Sequence, residues 1–177
     1  KLAGAAPGAL QNIAASAAPK AAGASLGDGI FTTIDDAAKA ARVAFTALSA
    51  LGLEQRKLVI ESMRKAMRAN AEHLAKMAHE ESGLGRYEDK IVKNLLVTNK
   101  TPGPEDLAPT AVSGDRGLVL IEPAPFGVIG AITPVTNPPS TIICNSIGMV
   151  SAGNAVVFNA HPSAKRVSME TIRLLNQ

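Results

Sequence analysis

The sequence predicts an incomplete α/β fold, in which amino-terminal helices precede the first half of a Rossmann-like parallel sheet. The main observation is the stretch 127–162, GVIGAITPVTNPPSTIICNSIGMVSAGNAVVFNAHP, where an apolar run leads into a polar turn, a helical pattern and a second apolar run. Helical periodicity dominates the region before it. Two parallel strands that are apolar on both faces need at least one further strand. We therefore expect the chain to be the amino-terminal part of a larger protein.

The composition excludes several classes of protein. The net charge is only +3 and aromatic residues make up 3%, so a basic surface with stacking side chains for nucleic acid is not expected. The single cysteine excludes an internal disulfide and fits a reducing, intracellular setting. Because no stretch approaches the roughly 20 apolar residues that a membrane span needs, no membrane association is expected.

Residues 1–27 are rich in Ala and contain no acidic residue and few large apolar side chains. This composition favours a linker. The alternative is the remnant of a targeting peptide, because Leu10 and Ile13 could share one face of a short helix. The first residue is Lys1, which suggests an amino terminus that has been cut or processed.

Three helices are predicted next. Thr33 can cap a helix over 33–51, and a longer helix over 53–81 would place an apolar stripe on the core. The third, over 87–99, has its apolar residues on roughly one side. The expected core residues of the last two helices are Leu58, Met63, Met67, Leu74 and Met77, followed by Ile91, Leu95 and Leu96.

Histidines His73 and His79 are six residues apart on the long helix, which puts them on opposing faces. No metal site is therefore predicted.

Residues 101–117 are rich in turn formers and predict an excursion over the surface. A short apolar strand over 118–121 follows it.

The first strand of the parallel sheet is predicted over 127–133 and is expected to be buried on both faces. Pro134, Pro138 and Pro139 argue against a helix through the turn that follows, so Ser140 or Thr141 is the expected helix start. Ile142, Ile143, Ile147 and Val150 should pack against the sheet. Cys144 lies among them without a cationic neighbour in sequence, which favours a buried structural thiol.

Gly153 and Asn154 should end this helix in a left-handed turn. A second parallel strand over 155–158, a polar turn over 159–163 and a last helix over 164–177 complete the prediction.

Thr136 and Asn137 follow the first strand, at the end where open α/β sheets bind ligands. The residues alone leave two roles open for Asn137. Its amide either faces a ligand or stabilises the proline-rich turn through a local hydrogen bond.

Four stretches carry a resemblance to a known family: GDGIFTTIDDAAKAA, NKTPGPEDL, SGDRGLVLIEPAPFGVIGAITPVTNPPSTIICNSIGMVSAGNAVVFNAHPSAKR and ETIRLLN. Together they closely resemble the CoA-acylating aldehyde dehydrogenases, in particular the propionaldehyde dehydrogenase type of bacterial microcompartments. The resemblance implies an aldehyde-dehydrogenase-like fold with a partial NAD-binding domain over 28–177. It also implies a homo-oligomer, to which the excursion 100–122 contributes.

The resemblance implies an oxidoreductase that converts a short-chain aldehyde, CoA and NAD to acyl-CoA and NADH through a cysteine thioester. Asn137 matches the family residue whose amide donates to the oxyanion. NAD contacts are implied at both polar turns, and CoA would use much the same pocket. The nucleophilic cysteine is expected outside this chain, which alone should be inactive. The implied NAD-contacting residues are Thr133, Pro134, Val135, Thr136, Asn159, His161 and Pro162.

A cytoplasmic protein inside a bacterial microcompartment, in contact with shell proteins, is also implied. Two alternatives stay open at this point. One is a non-catalytic module for shell docking or assembly, and the other is a related acyl-phosphate reductase, for which a phosphate ester should compete for the pocket.

Overall fold

The computed structural model describes residues 25–177, which form six α-helices, two short 3₁₀ helices and six strands. Residues 1–24, most of the predicted linker, lie outside this range. The strands are β1 Ser25–Gly27, β2 Ile30–Phe31, β3 Thr110–Gly114, β4 Gly117–Ile121, β5 Val128–Ile132 and β6 Ala155–Asn159. The α-helices are α1 Ile34–Ser49, α2 Leu53–Ala69, α3 Ala71–Ser82, α4 Tyr87–Lys100, α5 Pro138–Ser151 and α6 Lys165–Leu175.

The strands form three two-stranded sheets within residues 25–177. β5 and β6 are parallel, in a register that pairs Val128 with Ala155 and Ile132 with Asn159, which confirms the predicted β5–α5–β6 unit. β3 and β4 form an antiparallel hairpin. β3 was not predicted, because turn-forming residues dominate the composition of residues 101–117.

The prediction that β5 is buried on both faces is wrong for this part of the chain. Ile132 is 84% exposed and Gly130 is also exposed. Gly130 and Ile132 alternate with buried Ala131, so the two exposed residues share one face of the strand, and that face is left uncovered within residues 25–177.

The core is formed mainly by helices. Ile60, Met63 and Met67 of α2 pack with Leu74 of α3, and the same cluster includes residues of α5 and α6, namely Ile143, Ile147 and Val167. Thus Ile143 and Ile147 of α5 contact a helical core, where contact with the sheet was expected. Burial of these side chains supplies the main stabilisation of this part of the fold.

The predicted long helix over 53–81 is two helices that meet at Asn70. The side-chain amide of Asn70 donates to the Ala66 carbonyl at 2.9 Å, a local bond of the kind that favours helix ends. Leu58 is 50% exposed, so its assignment to the core was wrong. It lies two residues before Ile60, which places it on the opposite side of α2.

Helix α4 buries a polar face, where an apolar face over Ile91, Leu95 and Leu96 was predicted. Its buried residues are Lys90, Asn94 and Thr98, and Leu96 is exposed. Asn94 donates to the Ala71 carbonyl at 3.1 Å. These polar groups are tolerated inside because each finds a hydrogen-bond partner.

Buried Arg64 fixes the carboxyl end of α4. Its guanidinium donates to the carbonyls of Thr98 and Thr101 at 2.6 and 2.8 Å and lies 3.3 Å from the Glu105 carboxylate. These carbonyls belong to the last turn of a helix, where no intrahelical donor exists. Arg64 therefore ties α2 to the chain that leads into the hairpin.

Helix α5 begins earlier than predicted. Pro138 and Pro139 occupy its first two positions, so neither Ser140 nor Thr141 is the start. Proline is favoured at these positions because its fixed φ suits the helix and its missing N–H would be unpaired there. The two prolines thus begin the helix that they were expected to exclude.

The turn between α5 and β6 confirms the predicted left-handed stop at Gly153, which has φ +84°. The next residue, Asn154, is buried, and its side-chain oxygen accepts from the backbone N–H groups of Phe126 and Gly127 at 2.6 and 3.0 Å. The Asn154 side chain therefore fixes the point at which β5 begins. The position of the polar turn at the other end of β5 follows from this.

Candidate functional site

The carboxyl ends of β5 and β6 lie at one edge of the parallel sheet. There the Thr133 N–H donates to the Asn159 carbonyl at 3.0 Å, and the Thr133 hydroxyl faces the same oxygen at 3.4 Å. Thr133 is buried, whereas Asn159 is exposed. The structure therefore brings these two predicted site residues together, at the edge where ligands of open α/β sheets bind.

Asn137 occupies the N-cap position of α5 but makes no capping bond with its side chain. Its Oδ1 atom accepts a hydrogen bond from the ammonium group of Lys93 on α4. Within the described range 25–177, no residue accepts a hydrogen bond from its Nδ2 amino group. The local turn-stabilising bond is therefore not formed, and the amide retains two free donors.

Lys90, one helical turn before Lys93, donates from its ammonium group to the Thr136 carbonyl at 3.2 Å. Its side chain is buried, and this burial lowers its pKa, with a further lowering by the charge of Lys93. Burial disfavours the charged form because it removes water from the ammonium group. Two lysines of α4 thus hold two consecutive residues of the turn.

An open cleft of about 300 Å³ lies beside Asn137, between α4 and the first half of α5. It is lined by Lys93, Val97, Asn137, Ser140, Thr141, Cys144 and Asn145. Cys144 is therefore only partly buried, which corrects the prediction of a buried thiol. The cleft between α4 and α5, which the apolar pattern of α5 does not reveal, accounts for the difference.

The other predicted cofactor residues lie along the same two turns. Pro134 and Thr136 are exposed, and Val135 packs against the helical core. His161 is exposed, and its Nδ1 atom accepts from the Ser163 N–H at 3.1 Å at the start of the 3₁₀ turn Pro162–Ala164. An imidazole that accepts at Nδ1 has its remaining nitrogen, Nε2, available for a ligand.

Sequence reasoning missed Lys90 and Lys93. Their spacing of three places them on neighbouring positions of one helix face. The available signal was the polar series Lys90, Asn94 and Thr98, at intervals of four, which marks the buried face of α4. The apolar residues nearby concealed it, because burial is normally assigned to apolar residues.

Within residues 25–177, no three or more His, Cys, Asp or Glu side chains lie close enough together to hold a metal ion. His73 and His79 are both exposed on α3. A membrane-spanning length of apolar helix is likewise not found in this part of the chain.

Comparison with known proteins gives consistent matches. The profile of the aldehyde dehydrogenase family matches residues 23–177. An acetaldehyde dehydrogenase (acetylating) of Bilophila wadsworthia is 47% identical over 165 residues, 93% of this chain. A propanal dehydrogenase (CoA-propanoylating) of Salmonella typhimurium is 44% identical over 151 residues, 85% of this chain.

Solved structures agree with these matches. A propionaldehyde dehydrogenase from the fucose utilisation bacterial microcompartment of Clostridium phytofermentans is 50% identical, with a TM-score of 0.81 over 83% of this chain and 34% of that one. A propionaldehyde dehydrogenase of Rhodopseudomonas palustris, with bound CoA and an acylated cysteine, is 48% identical, with a TM-score of 0.82 over 85% of this chain and 35% of that one.

The chain spans about a third of the length of these relatives, 34% of the Bilophila protein and 32% of the Salmonella protein.

Proposed function

Because this chain belongs to the aldehyde dehydrogenase family, we propose that it is part of an enzyme that oxidises a short-chain aldehyde with NAD and CoA to acyl-CoA and NADH. The proposal is supported by relatives at 44% and 47% identity that are named for CoA-propanoylating and acetylating activity. Acetaldehyde and propanal are accordingly the first substrates to test. The catalytic thiolate belongs to the whole protein, outside this chain.

The observation that carries the proposal is the side-chain amide of Asn137, which stands at the carboxyl end of β5 beside an open cleft with its Nδ2 donors free. Attack of a thiolate on an aldehyde produces a negative oxygen. An amide held in place before the reaction stabilises that oxygen without reorganising. In this proposal Asn137 is the oxyanion donor.

The cleft beside Asn137 would admit the aldehyde. Val97, Thr141 and Cys144 line it and offer a mixed, uncharged surface to a short alkyl chain, while the Asn137 amide lies where the carbonyl oxygen would approach. In this proposal Cys144 forms part of the cleft wall on α5, and the nucleophile is a different cysteine of the whole protein. The width of this cleft would limit the chain length of the aldehyde.

The turns after β5 and β6 would hold the cofactor. Exposed Thr136, Asn159 and His161 offer hydrogen-bonding groups at one edge, and Pro134 and Pro162 offer adjacent apolar surface. Buried Thr133 and core-packed Val135 would contribute through the backbone and by shaping the turn. NAD supplies the hydride acceptor when bound, and CoA would occupy much the same edge afterwards.

The test is an assay of the whole protein with acetaldehyde or propanal. We expect NADH formation that requires CoA, with acyl-CoA as the product identified by mass spectrometry. Replacing CoA with inorganic phosphate tests the related acyl-phosphate reductase. NADH formation with phosphate and without CoA would contradict the proposal, as would the absence of oxidation of either aldehyde.

The β3–β4 hairpin is proposed to contribute to a homo-oligomer. Directly opposed residues of an antiparallel pair share one face, which places Val112, Val119 and Ile121 together. All three are more than half exposed. An exposed apolar face of this kind is typical of an interaction surface.

Introducing a charge on that face should weaken the oligomer. We expect Val119→Lys to lower the molar mass measured by light scattering after size exclusion, because burying an unpaired ammonium group is costly. The control is Ala44→Lys, which adds the same charge at an exposed position of α1 and should leave the mass unchanged. An unchanged mass for Val119→Lys would remove the hairpin from the interface.

The whole protein is further proposed to reside in the cytoplasm within a bacterial microcompartment, in contact with shell proteins. The support is its similarity to the Clostridium phytofermentans enzyme, which comes from such a compartment.

A further inference from the structure

We propose that Lys93 is a positioning residue for Asn137, which fixes the side-chain amide so that its two N–H donors face the reacting oxygen. The inference rests on the proposed function, because it assigns a role to the residue that orients the oxyanion donor. It extends that function to α4, a helix that contributes none of the residues implied by the resemblance.

The chemistry of the two groups dictates the orientation. A lysine ammonium group has three donors and no acceptor, so it can face only the oxygen of the Asn137 amide. The observed bond to Oδ1 therefore turns Nδ2 away from α4. An asparagine without such a partner has two orientations of similar shape, and only one of them presents N–H groups to the substrate.

The surroundings of Lys93 strengthen this arrangement. Lys90 carries a second positive charge one turn away but donates to the Thr136 carbonyl, so it does not compete for Oδ1. No carboxylate of residues 25–177 forms an ion pair with Lys93, which leaves its charge directed at the amide. A cation on the carbonyl side of an amide also polarises it and makes its N–H groups stronger donors.

A double-mutant cycle in the whole protein tests the inference. We expect Lys93→Met to lower kcat about tenfold, since a hydrogen bond to a charged group is worth at least that factor. KM for the aldehyde should change little, because the interaction matters once the oxyanion forms. Lys93→Arg, which retains a charged donor, should recover part of the loss.

The decisive measurement is Lys93→Met combined with Asn137→Ala. If Lys93 acts through the amide, adding Lys93→Met to the Asn137→Ala variant should cause almost no further loss of kcat. The matched control is Lys100→Met, which removes an exposed lysine from the last turn of the same helix and should leave kcat unchanged.

Two results would overturn the inference. One is a full tenfold loss from Lys93→Met in both backgrounds, which would mean that Lys93 acts independently of Asn137. The other is a normal kcat for Lys93→Met while Asn137→Ala is impaired, which leaves the proposed function intact. A normal kcat for Asn137→Ala alone would instead refute the oxyanion role itself and this inference with it.

Discussion

Asn137→Ala is expected to reduce the turnover of the whole protein by roughly 10²–10³-fold, the loss that follows removal of one oxyanion donor. The alanine leaves the thiohemiacetal oxygen without its preorganised amide. The fold should persist, because the Asn137 side chain makes no capping bond in α5 and the Thr141 N–H still donates to the residue's carbonyl at 3.0 Å. Steady-state kinetics of acyl-CoA formation measures the loss, and titration with NAD checks that cofactor binding is retained.

Asn137→Asp removes the N–H donors of the side chain but keeps its contact with α4. The carboxylate can still accept from Lys93, but it has no N–H group and carries a charge that repels the oxyanion. We expect a loss at least as large as that of Asn137→Ala. The control is Asn99→Ala, which removes an exposed amide from α4 and should leave turnover unchanged. Near-normal turnover of Asn137→Ala would refute the assigned role.

Local chemistry made much of this architecture predictable. Thr33 does cap α1, where its hydroxyl oxygen accepts from the Asp36 N–H at 3.1 Å, and Gly153 does end α5. The apolar runs at β5 and β6 and the polar turns after them follow directly from hydrophobic patterning. Asn137 could be placed at the carboxyl end of β5 for the same reason.

The interfaces between helices were not predictable in this way. On α4 the buried side chains of Lys90 and Asn94 donate to partners far away in sequence, the Thr136 and Ala71 carbonyls. A pattern of apolar residues contains no information about such partners. The lysines at the site were missed for this reason. The partial exposure of Cys144 likewise depends on how α4 and α5 lie relative to each other, because they leave a cleft at this residue.

The burial of α2 and α3 allows a sharp comparison of two leucines that the sequence assigns to one stripe. Leu74 has no exposed surface and belongs to the cluster that joins α2, α3, α5 and α6. Leu74→Ala should lower the free energy of unfolding of this region by about 2–5 kcal/mol, the cost of a cavity plus the lost burial. Hydrogen exchange in the whole protein measures it as faster exchange of the amides of α2, α3 and α5.

Leu58→Ala is the matched control, because it removes the same atoms from a side chain that is half exposed on the opposite side of α2. Its effect should stay below about 1.5 kcal/mol, since only part of the leucine burial energy is lost and alanine favours the helix slightly more. Equal acceleration of exchange by the two substitutions would place both leucines in the core. A large effect of Leu74→Ala alone would locate the core on the Ile60, Met63 and Met67 side of α2, because those residues pack with Leu74.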